Sequence, residues 1–163
     1  MSKKKLYCID TNILIWSWND LLSMDMCPDY WDKVDDLSSK GVIFCPEEVK
    51  REIIAKDDGL RDWVKSRPYL FRGITEDVQE KLRLIMKSHP ILVNNIKQRS
   101  VADPWVIAHA MQEGATVVTG EGRTLLGRAK RKKIPDVCDA LDVRCINHLQ
   151  FLKEIGIRFS IPK

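Results

Sequence analysis

An α/β fold, a single domain with a central mostly parallel sheet of four to five strands flanked by helices on both faces, is what this 163-residue chain predicts. Two observations carry that expectation. Short apolar runs without polar alternation recur at Leu6–Asp10, Val42–Cys45, Ala115–Thr119 and Val143–Ile146, the pattern of strands buried on both faces. Helix-like stretches separate them, so strand and helix alternate along the chain. The length suits one domain, residues 1–163, with a real core, and neither a repeat nor a linker divides it.

The elements follow in order. Leu6–Asp10 reads as a buried strand ending in a carboxylate. Trp31–Ser39 is helix-like and Gly41 closes it. Val42–Cys45 is the second strand, with Pro46 placed as the first residue of a helix to about Lys56. That helix puts Val49, Ile53 and Ile54 on one face. Helical stretches follow at about Gly59–Lys65 and Thr75–Lys87, divided by Arg67-Pro68. Pro90 to Gln98 is ambiguous, with a further helix as one reading. Asp103-Pro104 opens a clearer helix, which Gly114 ends. After the strands at Ala115–Thr119 and Val143–Ile146, Asn147 caps a last helix running to about Ile155 and stopped by Gly156.

Composition excludes several classes. No apolar run approaches the roughly 18 residues that span a bilayer. Lys3–Lys5 followed by Leu6–Ile9 resembles the start of a secretory signal, but Asp10 interrupts it and no small-residue cleavage site follows. The five cysteines are an odd number and show neither a CxxC pair nor zinc spacing with histidine. A reduced, cytoplasmic protein with inert and mostly buried thiols is the expectation. The net charge of +4 is modest but unevenly placed: Gly122 to Lys133 carries six cations and no acid. Such a block is either a solvated loop or, beside chemistry acting on nucleic acid, a phosphate-binding patch.

In open parallel sheets, ligands bind outside the carboxyl ends of the strands. Asp10 follows the first strand, Glu52 lies on the helix after the second, Asp103 opens a helix, and Glu121 follows the third strand. Acids gathered at one rim repel and raise one another's pKa unless a cation offsets them. Oxygen-only ligands select hard ions such as Mg²⁺ or Mn²⁺. Each acid also has an ordinary reading. Asp103 before Pro104 would serve as an N-cap, Glu52 could pair with Lys56 one turn on, and Glu121 could sit in a plain Gly-Glu-Gly turn. Asp10 is harder to explain that way, because an acid at the end of a buried run is costly unless it is paired.

These residues resemble the PIN-domain nuclease family. Ile9-Asp10-Thr11-Asn12 is similar to its first motif, Pro46-x-x-Val49-x-x-Glu52-Ile53 to the second, Ala102-Asp103-Pro-Trp-Val-Ile-Ala108 to the third, and Val117-Val-Thr119-Gly-Glu121 to the fourth. The order and spacing agree across nearly the whole chain. Asp103-Pro-Trp-Val-Ile-Ala, Val-Val-Thr-Gly-Glu121 and Lys133-Ile-Pro-Asp-Val-Cys138 resemble more narrowly a DUF4411-like branch, similar to toxin ribonucleases of the VapC kind. Glu121 departs from the family, where an Asp is usual.

The resemblance implies hydrolysis of RNA phosphodiester bonds by water, leaving 5′-phosphate and 3′-hydroxyl ends, with one or two Mg²⁺ or Mn²⁺ ions. Asp10 and Asp103 would be direct ligands, with Glu52 and Glu121 binding directly or through water. Thr11, Asn12 and Thr119 would orient the carboxylates by hydrogen bonds. Arg123, Lys130, Arg131, Lys132 and Lys133 would contact RNA phosphates. Asp136 and Asp139 are further acids near the rim, Asp136 being read first as a turn residue after Pro135. An antitoxin protein and a homodimer are the implied partners, with the apolar early helices as the one candidate interface.

Trp16, Trp18 and Trp31 are read as packing residues first and as base-stacking residues second. His89, His109 and His148 are scattered, and His109 is read as a packed helix residue. A haloacid-dehalogenase-type phosphatase would need an acid where Asn12 stands. A receiver-like domain would need a paired-Asp start, which is absent. The rivals that remain are a PIN-like module that binds RNA or protein without cutting, and an RNA-processing nuclease unrelated to toxin–antitoxin pairs.

Overall fold

A computed structural model describes residues 3–55, 59–89, 102–122 and 133–163. Its centre is a five-stranded sheet in the order β3-β2-β1-β4-β5. The strands are β1 (Tyr7–Ile9), β2 (Ile43–Pro46), β3 (Phe71–Arg72), β4 (Thr116–Val118) and β5 (Cys145–Ile146). Every neighbouring pair is parallel. Successive residues of a strand point to opposite faces, yet all of β1, β2 and β4 is buried. Both faces of the central sheet are therefore covered, as the unalternating apolar runs predict.

Helices α1 (Thr11–Trp16), α2 (Pro28–Ser39), α3 (Glu47–Ile54), α4 (Gly59–Lys65), α5 (Glu76–Ser88), α6 (Asp103–Glu113), α7 (Ile134–Ala140) and α8 (His148–Glu154) fill the connections. Ser17–Leu21 continues α1 as a π-helical turn. Trp31 lies fully buried against Trp18, Tyr30 and Trp63, with ring centroids 4.9, 5.2 and 4.9 Å away, and its indole N–H donates to Leu22 O at 2.7 Å. That aromatic cluster fixes the π-turn on α2 and α4. Among the described residues, no helix is long and apolar enough to cross a membrane. None of the five cysteines forms a disulfide, and Cys8, Cys45 and Cys138 are buried.

Several boundaries differ from the sequence expectation. Pro46 ends β2 and stands as the N-cap of α3 with ψ 153°, rather than opening the helix. The fifth strand, β3, is two residues long, too short for any periodicity to reveal it. Pro28, favoured at a first helical position, starts α2 three residues before Trp31. Asp136 is not a turn residue: it lies in the first turn of α7 and its carboxylate reaches back to Lys133 N at 3.0 Å. The ambiguous stretch from Pro90 to Gln98 lies outside the described residues, as does Lys56.

Candidate active site

The strand order places the site. From β1, the chain builds outward through β2 and β3 on one side, then returns to add β4 and β5 on the other. β1 and β4 are thus neighbours whose connections leave in opposite directions, the topological switch point where parallel sheets open a crevice. Register brings Ile9 opposite Val118, and Asp10 N continues the ladder to Val118 O at 3.0 Å. The next residues, Asp10 and Thr119, are therefore side by side, and Thr119 Oγ1 donates to Asp10 Oδ2 at 2.9 Å.

Asp10 is also the N-cap of α1, its Oδ1 accepting from Thr11 N at 2.7 Å. It is only 3% exposed. Burial, with Glu121 and Glu52 nearby, pushes its pKa up to about 7 against the opposing hydrogen bonds from Thr119 and Thr11.

Glu52 reaches the site from α3. Its Oε2 accepts from Thr11 Oγ1 at 2.6 Å and its Oε1 from Ala102 N at 3.3 Å. One carboxylate thereby ties α3 to the beginnings of α1 and α6. Asp103 is buried in the first turn of α6, where Ala102 holds the N-cap position, so the simple N-cap reading of Asp103 does not hold. Glu121 follows β4, with its N–H donating to Thr119 Oγ1 at 3.2 Å and its Oε2 accepting from Ile134 N, the first residue of α7, at 2.9 Å. Asp10, Glu52 and Glu121 each accept a backbone N–H at the start of a helix, where the helix dipole favours negative charge.

Thr11 and Thr119 donate directly to the Glu52 and Asp10 carboxylates. Asn12 works at one remove: its Oδ1 accepts from Gly120 N at 2.9 Å and its amide approaches Thr119 Oγ1 at 3.5 Å. A Cβ on Gly120 would lie 3.3 Å from Asn12 Oδ1, so glycine keeps this turn closed against α1.

Asp10, Glu52, Asp103 and Glu121 line one cavity of ≈ 300 Å³ with Thr11, Asn12, Ile15, Trp16 and Asp20. The four acids read from the sequence are thus brought together. Asp20 is a fifth that sequence reasoning missed. It lies in the π-turn, and only the aromatic packing that sets that turn brings it round to the rim. Asp136 and Asp139 do not line the cavity. Among the described residues, five carboxylates and no Lys or Arg border it, a donor set that fits a hard divalent cation by chemistry. Among the described residues, no three Asp, Glu, His or Cys side chains converge closely enough to hold one ion, so these acids border a cavity rather than form a coordination sphere.

Arg123, Lys130, Arg131 and Lys132 lie outside the described residues, and Lys133 is exposed ahead of α7. Trp18 and Trp31 pack as expected, whereas Trp16 touches the His148 ring, with centroids 5.8 Å apart, and stays 45% exposed at the cavity rim. His109 is buried on α6.

The sequence matches the family described as "Domain of unknown function (DUF4411)" over residues 7–159. The chain belongs to that family. No curated protein sequence matches this DUF4411 chain. Its fold is similar to that of VapBC2 from Rickettsia felis, solved bound to a DNA fragment from its promoter, with TM-score 0.52 and 15% identity over 87% of this chain and 98% of the other. It is also similar to FitAcB from Neisseria gonorrhoeae, with TM-score 0.50 and 16% identity over 87% and 97% of the two chains. The DUF4411 chain therefore has the PIN-like architecture that its motifs suggest.

Proposed function

We propose that this DUF4411 chain is a metal-dependent endoribonuclease and the toxin half of a toxin–antitoxin pair. The observation that carries this reading is the cavity at the switch point, bordered among the described residues by five carboxylates and no cationic side chain. Carboxylates so placed repel, and a divalent cation offsets that repulsion while taking part in phosphodiester chemistry. Mg²⁺ or Mn²⁺ held by Asp10 and Asp103, with Glu52 and Glu121, would supply Lewis acidity toward the phosphodiester and its attacking water.

The chain's own groups have separate tasks. Thr119 and Thr11 N hold the Asp10 carboxylate in one rotamer. Thr11 Oγ1 and Ala102 N hold both oxygens of Glu52. Glu121 is anchored on the start of α7. Lys133, with Arg123, Lys130, Arg131 and Lys132, would bind RNA phosphates in a salt-dependent and largely sequence-blind manner. The toxin role and an antitoxin partner rest on the likeness to the VapBC2 and FitAcB structures and on the motifs. A homodimer and a cytoplasmic location belong to the same reading.

The test is cleavage of a mixed cellular RNA pool by purified wild type and Asp10→Asn, each with Mg²⁺, Mn²⁺ or EDTA. Cleavage that requires both metal and Asp10 is the expected result. Wild type that binds RNA but stays inactive with every metal would sink the catalytic reading and leave a binding module.

A further inference from the structure

Beside the carboxylate cavity lies a second one, of ≈ 270 Å³, with the opposite character. Trp16, Leu21, Leu149 and Leu152 form most of its wall, with Gly120, Asn147 and His148, and among the described residues no charged side chain lines it. The two cavities are adjoining: Trp16 lines both, and Gly120 immediately precedes Glu121. Three apolar side chains here stay open to solvent, Trp16 at 45%, Leu21 at 52% and Leu149 at 60%.

His148 adds a polar feature. Its Nε2 lies 3.2 Å from Ser17 Oγ and 3.4 Å from Tyr30 OH, and Ser17 Oγ donates to Ile13 O at 2.6 Å. The residue is 4% exposed, and Nδ1 is buried without a hydrogen-bond partner. Burial holds the imidazole neutral, with its pKa lowered to about 4.

We infer that this cavity is a nucleobase subsite: Trp16 stacks one unpaired base of the RNA whose phosphate faces the neighbouring carboxylates. An exposed indole rim is a sequence-tolerant stacking surface, and the leucines of the wall would shield the second face of the base. A partner-protein helix is a poorer occupant, because it needs a groove long enough for anchors over two turns, whereas this cavity is ≈ 270 Å³. The inference rests on RNA being the ligand of the site, as proposed above, but not on its being cut.

The experiment is an anisotropy titration of the 163-residue Asp10→Asn chain, which is not expected to cleave. Labelled oligoadenylate, oligocytidylate and oligouridylate are compared with an abasic oligomer of equal length. Trp16→Ala is expected to weaken binding of the base-bearing oligomers about tenfold and to leave the abasic one unchanged. Trp16→Phe should restore most of the affinity, and melting curves check that each variant folds. Equal loss for abasic RNA, no loss at all, or loss of a protein partner with RNA binding intact would each overturn the subsite. Cleavage is read in a different assay, so the two readings fail separately. A chain that binds bases but cuts nothing keeps the subsite, and one that cuts without base-dependent binding loses it.

Discussion

Thr119 and Asp10 meet because parallel register leaves them no alternative. Ile9 and Val118 are paired across β1 and β4, the next residue on each strand leaves the sheet at the same edge, and the hydroxyl lands 2.9 Å from Asp10 Oδ2. Thr119 is thereby the residue that fixes how the most deeply buried acid faces the cavity.

Thr119→Val keeps the shape and β-branching but removes the donor. RNA cleavage is expected to fall ten- to a hundredfold, the usual range when a group orienting a ligand is lost, while Thr119→Ser retains most activity. Turnover measured for both variants at saturating Mn²⁺ checks this. Equal rates for wild type and Thr119→Val would show that Asp10 needs no such orientation.

A divalent cation should stabilise the fold as well as enable chemistry. At a Mn²⁺ concentration about a hundred times its Kd, a site present only in the native state adds about 2.7 kcal/mol, read as a rise in Tm that EDTA reverses. Asp10→Asn is expected to abolish most of the rise. Asp20→Asn should reduce it partly, because Asp20 borders the same cavity from the π-turn. An undiminished shift in Asp20→Asn would remove the fifth acid from the site.

Trp31 joins stability to the site. Trp31→Ala would empty a fully buried position among Trp18, Tyr30 and Trp63 and leave Leu22 O without its donor. A loss of about 3–5 kcal/mol is expected in urea unfolding. Because the π-turn carrying Asp20 rests on this cluster, Mn²⁺ binding should weaken along with stability. A variant of wild-type stability would contradict the packing described.

Acid should destabilise the fold through two histidines. Burial lowers both His109 and His148 to about 4, against about 6.5 unfolded. His148 faces the hydroxyls of Ser17 and Tyr30, and His109 lies near the Phe44 ring, the Arg72 guanidinium and Glu113. Between those two values the unfolded chain binds more protons, so stability is complete above about 6.5 and is lost as pH falls toward 4, by about 3 kcal/mol per histidine. Asp10, raised to about 7 by burial, acts in the opposite sense, so the unfolding curves are best taken on Asp10→Asn. A flat profile from pH 7 to 4.5 in that variant would refute the assignment.

Much of the site was legible because it sits at element boundaries. Asp10 after an unalternating apolar run and Glu121 after Val-Val-Thr had to emerge at one edge once the strands were parallel, since every strand ends there. The second strand-plus-helix likewise delivered Glu52. Asp20 gave no such signal, because its place depends on a π-turn that shifts it off ordinary helical spacing. The simple capping reading of Asp103 failed for a local reason: the helix takes Asp103 as its first residue and Ala102 as its cap.

The sequence by itself determined the strand–helix alternation, the burial of both sheet faces and the four acids at the strand-end rim. All of these follow from local apolar pattern and chain direction. Only the tertiary structure decided which strands are neighbours, and therefore that Thr119 orients Asp10 while Glu52 spans from Thr11 to Ala102. It also decided that Trp16 lies open while Trp18 and Trp31 are packed. These three tryptophans are chemically identical, and what separates them is the long-range packing of α2, α4 and α8 around the π-turn, a property of no single stretch of sequence.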